Sequence, residues 1–453
     1  MAEHRAPRRP VVPGAPRLAV VLALVVGVAL LSVQALTRAA PVGNSETSPP
    51  IRSQFLTLDQ QADMSNQTRP VTTNLETTAA APALAPIVPS MPAIAAPVWG
   101  QRGEIVSEES LSDLPSPLGD AVREARRATY RSVSGISAAG TEVSGAFFVP
   151  KGSPPEGGWP VVSLAHSTTG MNTECGPSSQ PDLFGFAPAV ASLLSGGMAV
   201  AMTDYEGLGG PGLHPFLEPR TEGFNVIDAV RALRSLFPEV SARWLALGSS
   251  QGGQAAWAAN EVNRSYGGGL KLLGSVALAP GANLTELAEL AYNEQLSAKQ
   301  LMVMPLIVMA VQRSFPDVPI DHLLHGDTLT ARDVLIGCGP LSDEMRATVL
   351  TAADVKPASR ADADALAHGL QKLALPREPV SAPLLVVSGS KDDLIFPSWV
   401  KTAVARSCRM GGQIEYLEQD GAGHADAGSD PRVMQWIADR LAGKAAPTSC
   451  AVT

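Results

Sequence analysis

The stretch WLALGSSQGG, residues 244–253, places the pattern Gly-x-Ser-x-Gly between an apolar segment and a helix-forming segment. A serine on a tight turn between a strand and a helix projects its hydroxyl above the sheet, and flanking glycines let the backbone approach closely. The start of the following helix would place N–H groups beside a developing oxyanion. An ordinary glycine-rich loop is the competing interpretation, since the chain has 41 glycines. The strand before the pattern, the helix after it and the additional Gly253 favour Ser250 as a nucleophile.

A serine nucleophile needs a base, and the base needs an acid that orients it. After a strand–serine–helix turn, the acid and then the histidine follow later in the chain, on loops after late strands. Asp392 follows the apolar segment 383–387, and His424 follows the segment 414–417. No other histidine has both this order and this context. Asp393 remains an alternative to Asp392, although the three-residue offset from Gly389 favours Asp392.

The same chemistry requires two donors for the oxyanion. One should be the main-chain N–H of Gln251, and the other should come from the loop after the third strand. That loop reads AHSTTG, residues 165–170. Ser167 is the predicted second donor and Thr168 is the alternative. A plain Ser/Thr turn is compatible with this role because the donor is main chain.

Short apolar runs alternate with amphipathic segments along the rest of the chain. This alternation predicts a mostly parallel central sheet with helices on both faces, which is the α/β class. Residues 284–378 favour helix, contain no convincing strand and are predicted to form an inserted cap. The cap divides the core into residues 103–283 and 379–453. Strands are predicted at 143–149, 160–164, 198–203, 244–247, 272–278, 383–387 and 413–417, and helices at 225–236, 254–263 and 432–441.

The N-terminal region indicates export. Arginines precede an apolar run at residues 18–36, the layout of a signal peptide or signal anchor, so residues 1–40 are assigned that role. The absence of a good A-x-A cleavage site favours an anchor. Residues 41–102 are rich in Pro, Ala and Thr and are predicted to form a disordered linker. We therefore expect a protein that is secreted or anchored on the outer face of the membrane by residues 18–36.

Charge and cysteine content narrow the possible partners. The net charge of −9 argues against nucleic acid. The four cysteines (Cys175, Cys338, Cys408 and Cys450) have no zinc-ligand spacing. In an exported chain they suggest two disulfides, with three pairings possible. His322 and His325 lie three residues apart but lack an obvious third ligand, so we expect no metal site there. The predicted serine chemistry implies no metal and no organic cofactor. The oligomeric state is left open.

Three further blocks resemble the secretory lipases, a triacylglycerol lipase family of the α/β-hydrolase superfamily. They are AHSTTG with CGPS at 165–178, TDYEGLG with PGLHP at 203–215, and GFNVIDAVRA at 223–232. The resemblance runs from about residue 103 to residue 450. It implies an α/β-hydrolase fold with a helical cap, and carboxylic esters with a substantial acyl chain as substrates. It also implies the disulfides Cys175–Cys338 and Cys408–Cys450.

Two departures from the family pattern limit what the resemblance implies. Ser167 stands where family members often carry glycine, and Ser249 stands where histidine is common. Neither removes a main-chain donor or the nucleophile, but both could reshape the acyl entrance. Chain-length preference is therefore not carried over.

The resulting hypothesis is a serine carboxylic ester hydrolase that acts on acylglycerols or other lipid esters through an acyl-enzyme on Ser250. The alternatives are a serine peptidase or amidase of the same fold, and a catalytically silent anchored binding protein. Residues 204–206 could serve the site, although a buried network that braces their loop is favoured. Met302 and Met304 could line an acyl tunnel or simply pack the cap.

Overall fold

A computed structural model describes residues 84–450 of the chain. The predicted signal segment, with its apolar run at 18–36, and most of the predicted linker lie outside these residues. Among the residues described, no helix combines the length and apolar character needed to cross a membrane.

The core is a nine-stranded sheet in the order β1-β2-β3-β5-β4-β6-β7-β8-β9. The first three strands and β5 pair antiparallel, whereas β5, β4, β6, β7, β8 and β9 pair parallel. The central strands are buried along most of their length, which explains their continuous apolar sequences. The strands are β1 Ile105–Ser110, β2 Val122–Val133, β3 Gly140–Pro150, β4 Trp159–Ala165, β5 Ala199–Thr203, β6 Val240–Ser249, β7 Lys271–Leu278, β8 Leu384–Gly389 and β9 Ile414–Gln419.

Helices pack with apolar residues against both faces of the sheet. The last helix is a clear case, because it buries Val433, Trp436 and Ile437 along one side. The predicted α/β-hydrolase fold is confirmed by this arrangement. The helices are α1 Ala96–Gly100, α2 Leu118–Ala121, α3 Ala187–Ser195, α4 Pro219–Leu236, α5 Gln251–Tyr266, α6 Leu287–Tyr292, α7 Ala298–Ser314, α8 Gly326–Thr330, α9 Arg332–Leu335, α10 Pro340–Val349, α11 Arg360–Leu373, α12 Pro397–Arg409 and α13 Arg432–Leu441.

The segment 284–378, here called the cap, consists of helices α6 to α11 and turns. Its longest helix, α7, starts at a capping box in which the Ser297 hydroxyl accepts from the Gln300 amide and the Gln300 side chain accepts from the Ser297 amide. The Ser297 hydroxyl also donates to the main-chain oxygen of Asp393, 2.7 Å away, and the Gln300 side chain donates to that of Leu394. The start of α7 is therefore fastened to the loop after β8.

Two disulfides fix distant segments of the chain. Cys175 is bonded to Cys338 in the cap, and Cys408 on α12 is bonded to Cys450 near the C-terminus. These are the two pairings that the resemblance implies.

Residues 84–102, which the sequence assigns to the linker, differ from that expectation. The Ile87 amide donates to the main-chain oxygen of Gln371 in α11, and the Arg102 guanidinium lies 3.4 Å from the centre of the Trp99 ring. Arg102 also donates to the main-chain oxygen of Tyr266. Composition misses these contacts because main-chain and cation–π interactions do not depend on an apolar pattern.

Candidate active site

Ser250 occupies a strained turn between β6 and α5. Its φ of 57° and ψ of −116° lie outside the regions that a residue with a side chain adopts readily. The turn is held on both sides, because the Ser250 amide donates to Leu278 at the end of β7, and the Gly281 amide donates to the Ser250 carbonyl. The surrounding structure thus fixes a serine, half exposed, at the carboxyl edge of the sheet.

The glycines of the motif are required by close backbone contacts. A Cβ atom added to Gly252 would lie 2.0 Å from the main-chain oxygen of Ala165. A Cβ added to Gly248 would lie 2.2 Å from the main-chain oxygen of Gly252. The start of α5 therefore packs directly against the end of β4, where the loop with Ser167 begins.

Asp392 and His424 are brought together by the loops after β8 and β9. The Asp392 Oδ2 atom lies 2.7 Å from Nδ1 of His424. Its other oxygen, Oδ1, accepts from the amides of Leu394 and Ile395, at 3.0 and 2.9 Å. Because the Asp392 side chain is fully buried and His424 is its only side-chain partner in the described structure, the pair forms a fixed unit. In residues 84–450, neither Nε2 of His424 nor the Ser250 hydroxyl makes a hydrogen bond.

The two loops also lock to each other through main-chain contacts. The Lys391 amide donates to Ala422, and the Gly421 amide donates to the Ser390 hydroxyl. A Cβ on Gly389 would lie 2.3 Å from the main-chain oxygen of Ala422. These contacts explain how a loop after one strand can hold an acid against a base on the next.

The competing acid, Asp393, points elsewhere. Its carboxylate is half exposed and lies 2.7 Å from Nζ of Lys299 at the start of α7. Of the two adjacent aspartates, Asp392 alone contacts His424 in the structure.

The loop after β4 presents the predicted oxyanion donors. Across the described residues, the main-chain N–H groups of Ser167, Thr168 and Gln251 have no acceptor. Buried His166 braces this loop, with Nδ1 2.7 Å from the Ser167 carbonyl, and the Tyr205 hydroxyl donates to the His166 carbonyl. Burial lowers the pKa of His166, which favours the neutral ring. Free N–H groups on a braced loop suit an anionic ligand. Because the N–H groups of Ser167 and Thr168 are both free, the structure does not distinguish between them as donors.

The block 203–209 forms the buried network that the sequence favours for it. The Asp204 carboxylate accepts from the hydroxyls of Ser144 and Ser178 and from the Ser178 amide. Burial raises the pKa of Asp204, while these donors act in the opposite direction. Asp204 therefore holds the turn beside Cys175, and within residues 84–450 its carboxylate makes no hydrogen bond to Ser250.

The sequence interpretation misses Glu222, which is fully buried on α4 and directly precedes the block GFNVIDAVRA. Its Oε1 atom accepts from the side-chain amide of Gln251, 2.8 Å away. The side chain of Gln251 also lies 2.9 Å from Nε2 of His214. The sequence signal for Glu222 was a glutamate among the apolar residues of a helix face expected to be buried. A carboxyl group in such a position usually has a specific partner, because it is rarely buried without one.

The remaining candidates have separate structural partners. His322 lies 2.9 Å from Asp362, whereas Nε2 of His325 lies 2.8 Å from the carbonyl of Lys356, so the two histidines do not converge. Met304 is completely buried among cap and core side chains, and Met302 is partly exposed on the same helix. Met304 thus packs the cap.

Comparisons with known proteins agree with this fold. The family described as secretory lipase matches residues 186–335, a range that contains Ser250. The fold is similar to that of Candida antarctica lipase A in its closed state, with a TM-score of 0.63 and 15% identity over 79% of this chain and 86% of that one. It is also similar to the rice cell wall degrading esterase LipA from Xanthomonas oryzae, with a TM-score of 0.61 and 19% identity over 75% of this chain and 96% of that one.

No curated protein matches the sequence. At the identities of the two solved structures, the likeness establishes the fold. The family match and the α/β-hydrolase fold together confirm the resemblance to the secretory lipases, and they support a lipid ester hydrolase.

Proposed function

We propose that the protein is a serine carboxylic ester hydrolase that cleaves lipid esters through an acyl-enzyme on Ser250. The observation that carries the proposal is the pair formed by buried Asp392 and half-buried His424, located at the same edge of the sheet as the strained serine turn. A nucleophile, a base and an orienting acid in this chain order are the elements that acyl transfer requires.

In the proposed reaction, the Ser250 hydroxyl attacks the ester carbonyl carbon while its proton passes to Nε2 of His424. Asp392 accepts from Nδ1, which leaves Nε2 free to take the proton and stabilises the resulting imidazolium. The tetrahedral intermediate collapses, and the leaving alkoxide takes the proton from His424. Water then attacks the acyl-enzyme by the same route, which releases the acid and restores the serine.

The charge that develops on the carbonyl oxygen needs fixed donors. We assign this role to the main-chain N–H groups of Gln251 and Ser167, with Thr168 as the alternative on the same loop. Each such donor contributes about 3 kcal/mol of transition-state stabilisation in related chemistry.

Lipid esters are the proposed substrate class because of the family match and the lipase and esterase neighbours. The secretory family also suggests secretion. Anchoring by residues 18–36 remains a proposal from the sequence.

The proposal is tested by comparing wild type with Ser250→Ala on p-nitrophenyl esters of increasing acyl length. Ser265→Ala is the matched control, because Ser265 is an exposed serine at the far end of the same helix. We expect Ser250→Ala to lose hydrolysis and fluorophosphonate labelling, and Ser265→Ala to keep both. Unchanged turnover in Ser250→Ala would exclude Ser250 as the nucleophile.

The same experiment separates the two alternatives. An amine-blocked peptide that is cleaved faster than every ester would favour the peptidase or amidase. A folded wild-type protein that neither labels nor turns over any substrate would favour the binding protein.

A further inference from the structure

A buried chain of polar side chains ends at the residue that follows the nucleophile. The Gln251 side chain is completely enclosed, and its Nε2 atom lies 2.8 Å from Oε1 of Glu222 and 2.9 Å from Nε2 of His214. Glu222 belongs to α4, His214 to the loop after β5 and Gln251 to the start of α5. Three separate elements therefore converge on one side chain.

The protonation of this chain follows from one main-chain carbonyl. Nδ1 of His214 lies 2.9 Å from the carbonyl oxygen of Glu206, which can only accept, so Nδ1 carries a hydrogen. Burial lowers the pKa of His214 to about 3, and the ring is neutral. Nε2 of His214 must then accept from Gln251, whose two amide hydrogens are used by His214 and Glu222.

Two oxygen atoms remain without a donor. Within the described residues, Oε1 of Gln251 and Oε2 of Glu222 are both buried and neither has a hydrogen-bond partner. An ionised Glu222 would leave two acceptors and no hydrogen between them. A proton on Oε2 of Glu222 would make this atom a donor, which is the kind of partner that Oε1 of Gln251 lacks.

We propose that Glu222, as a neutral carboxylic acid, and His214 are positioning residues that hold Gln251 so that its main-chain N–H stays aimed at the oxyanion. This inference rests on the proposed ester hydrolysis. Because the side chain and the N–H belong to one residue at the first turn of α5, fixing the side chain limits rotation of the peptide group. No substrate contact is assigned to Glu222.

The surroundings of Glu222 favour the neutral acid. Burial raises the pKa of Glu222 to about 8, and the negative charge of Glu218, the N-cap of the same helix, adds to this. The charge of Glu218 is itself offset by Arg377, 3.1 Å away.

Glu222 and His214 each have a further hydrogen bond. Glu222 accepts from the amide of Leu217 in addition to Gln251. The Arg313 guanidinium donates to the carbonyl of His214 and opposes a positive charge on that ring. In the described structure, no cation pairs directly with the Glu222 carboxyl.

The proposal predicts an alkaline loss of activity in kcat. Above about pH 8 the Glu222 proton is released, the acid–amide pair opens and the oxyanion donor loses its support. Since the donor acts mainly in the transition state, kcat should fall while KM stays nearly constant.

The decisive experiment measures kcat and KM for a p-nitrophenyl ester between about pH 6 and pH 10. Glu222→Gln reproduces the neutral acid, because its amide can accept where Oε1 accepts and donate where Oε2 donates. We expect Glu222→Gln to keep kcat at neutral pH within about threefold and to lose the inflection near pH 8. Glu222→Ala should lower kcat about tenfold to hundredfold at neutral pH. This loss is smaller than the one expected from removing an oxyanion donor completely, because the main-chain N–H of Gln251 is still present.

Glu261→Gln is the matched control. Glu261 is also buried on α5, and burial raises its pKa to about 8, but it accepts from the amides of Arg377 and Glu378 and has no contact with Gln251. We expect this variant to retain the alkaline inflection of the wild type.

An unchanged inflection in Glu222→Gln would overturn the proposal, as would its disappearance in Glu261→Gln. If Glu222→Ala does not fold, as judged by its melting curve, the Glu222→Gln profile still decides the question. Failure of the proposed function is a different result, because Ser250→Ala would then keep the wild-type activity or the wild type would not label with fluorophosphonate.

Discussion

Replacing Gly252 with alanine should separate the two segments that carry the proposed oxyanion donors, the start of α5 and the loop after β4. The added Cβ would lie 2.0 Å from the main-chain oxygen of Ala165 and 2.7 Å from that of His166. Real Cβ atoms do not approach closer than 3.0 Å, so one backbone must move by about 1 Å. The atoms in the way are main chain, and no side-chain rotation can relieve the contact.

The expected loss of activity follows from this displacement. A misplacement of 1 Å in an active site can reduce the rate about 10²-fold, which corresponds to about 2.7 kcal/mol. Overpacking of this kind typically costs about 1–3 kcal/mol of folding free energy. We therefore expect Gly252→Ala to remain folded at room temperature with kcat/KM about 10²-fold lower.

The assay is kcat/KM on a p-nitrophenyl ester combined with urea unfolding of the same preparations. Gly268→Ala is the control, because a Cβ at Gly268 would meet nothing within 4 Å and its φ is not positive. Its free energy of unfolding should change by less than about 0.5 kcal/mol, with kcat/KM unchanged. A folded Gly252→Ala enzyme with the kcat/KM of wild type would refute the steric reasoning.

Three further outcomes are expected. Asp392→Asn should lower kcat about 10⁴-fold, because the amide no longer holds the histidine in the required tautomer. Asp393 is half exposed, and Asp393→Asn should keep kcat near the wild-type value. Equal losses of ester hydrolysis in the two variants would contradict the proposal that Asp392 is the acid. Replacing Cys175 and Cys338 with serine removes their disulfide and should lower the free energy of unfolding by about 2–5 kcal/mol, because the bond closes a sequence separation of 163 residues. Urea unfolding at the wild-type midpoint would argue against this. Burial raises the pKa of Glu222 and Glu261 from 4.5 to about 8, so between these pH values the folded state holds protons that the unfolded chain releases. The contribution of these protons to the free energy of unfolding is fully present below about pH 4.5 and is lost as the pH rises through about 8. The melting temperature should therefore fall between about pH 5 and pH 9, and Glu261→Gln should reduce that fall in a calorimetric series.

Much of the fold could be predicted from local sequence patterns. The seven predicted strands correspond to β3 to β9 within a few residues at either end. The two strands that were missed, β1 and β2, carry charged and polar residues, since β1 is mostly exposed and β2 reads VREARRATYRSV. These strands lie at the antiparallel edge of the sheet, where a continuous apolar run is not needed.

The candidate site was also predictable in part from the sequence and in part only from the structure. The turn at Ser250 was predictable because its strand, glycines and helix are contiguous, and so were the positions of Asp392 and His424 after late strands. The choice between Asp392 and Asp393 required the structure, since both follow the same strand and only their side-chain directions differ.

The sequence by itself determined the order of the strands β3 to β9, the turn that carries Ser250 and the loops that carry its predicted partners. Tertiary structure alone decided that Asp392 contacts His424 and that Glu222 and His214 enclose the side chain of Gln251. The physical reason is the range of the interactions. Strand and turn preferences act between neighbours in the chain, whereas Glu222 and Gln251, 29 residues apart, meet only after α4 and α5 have packed on the sheet.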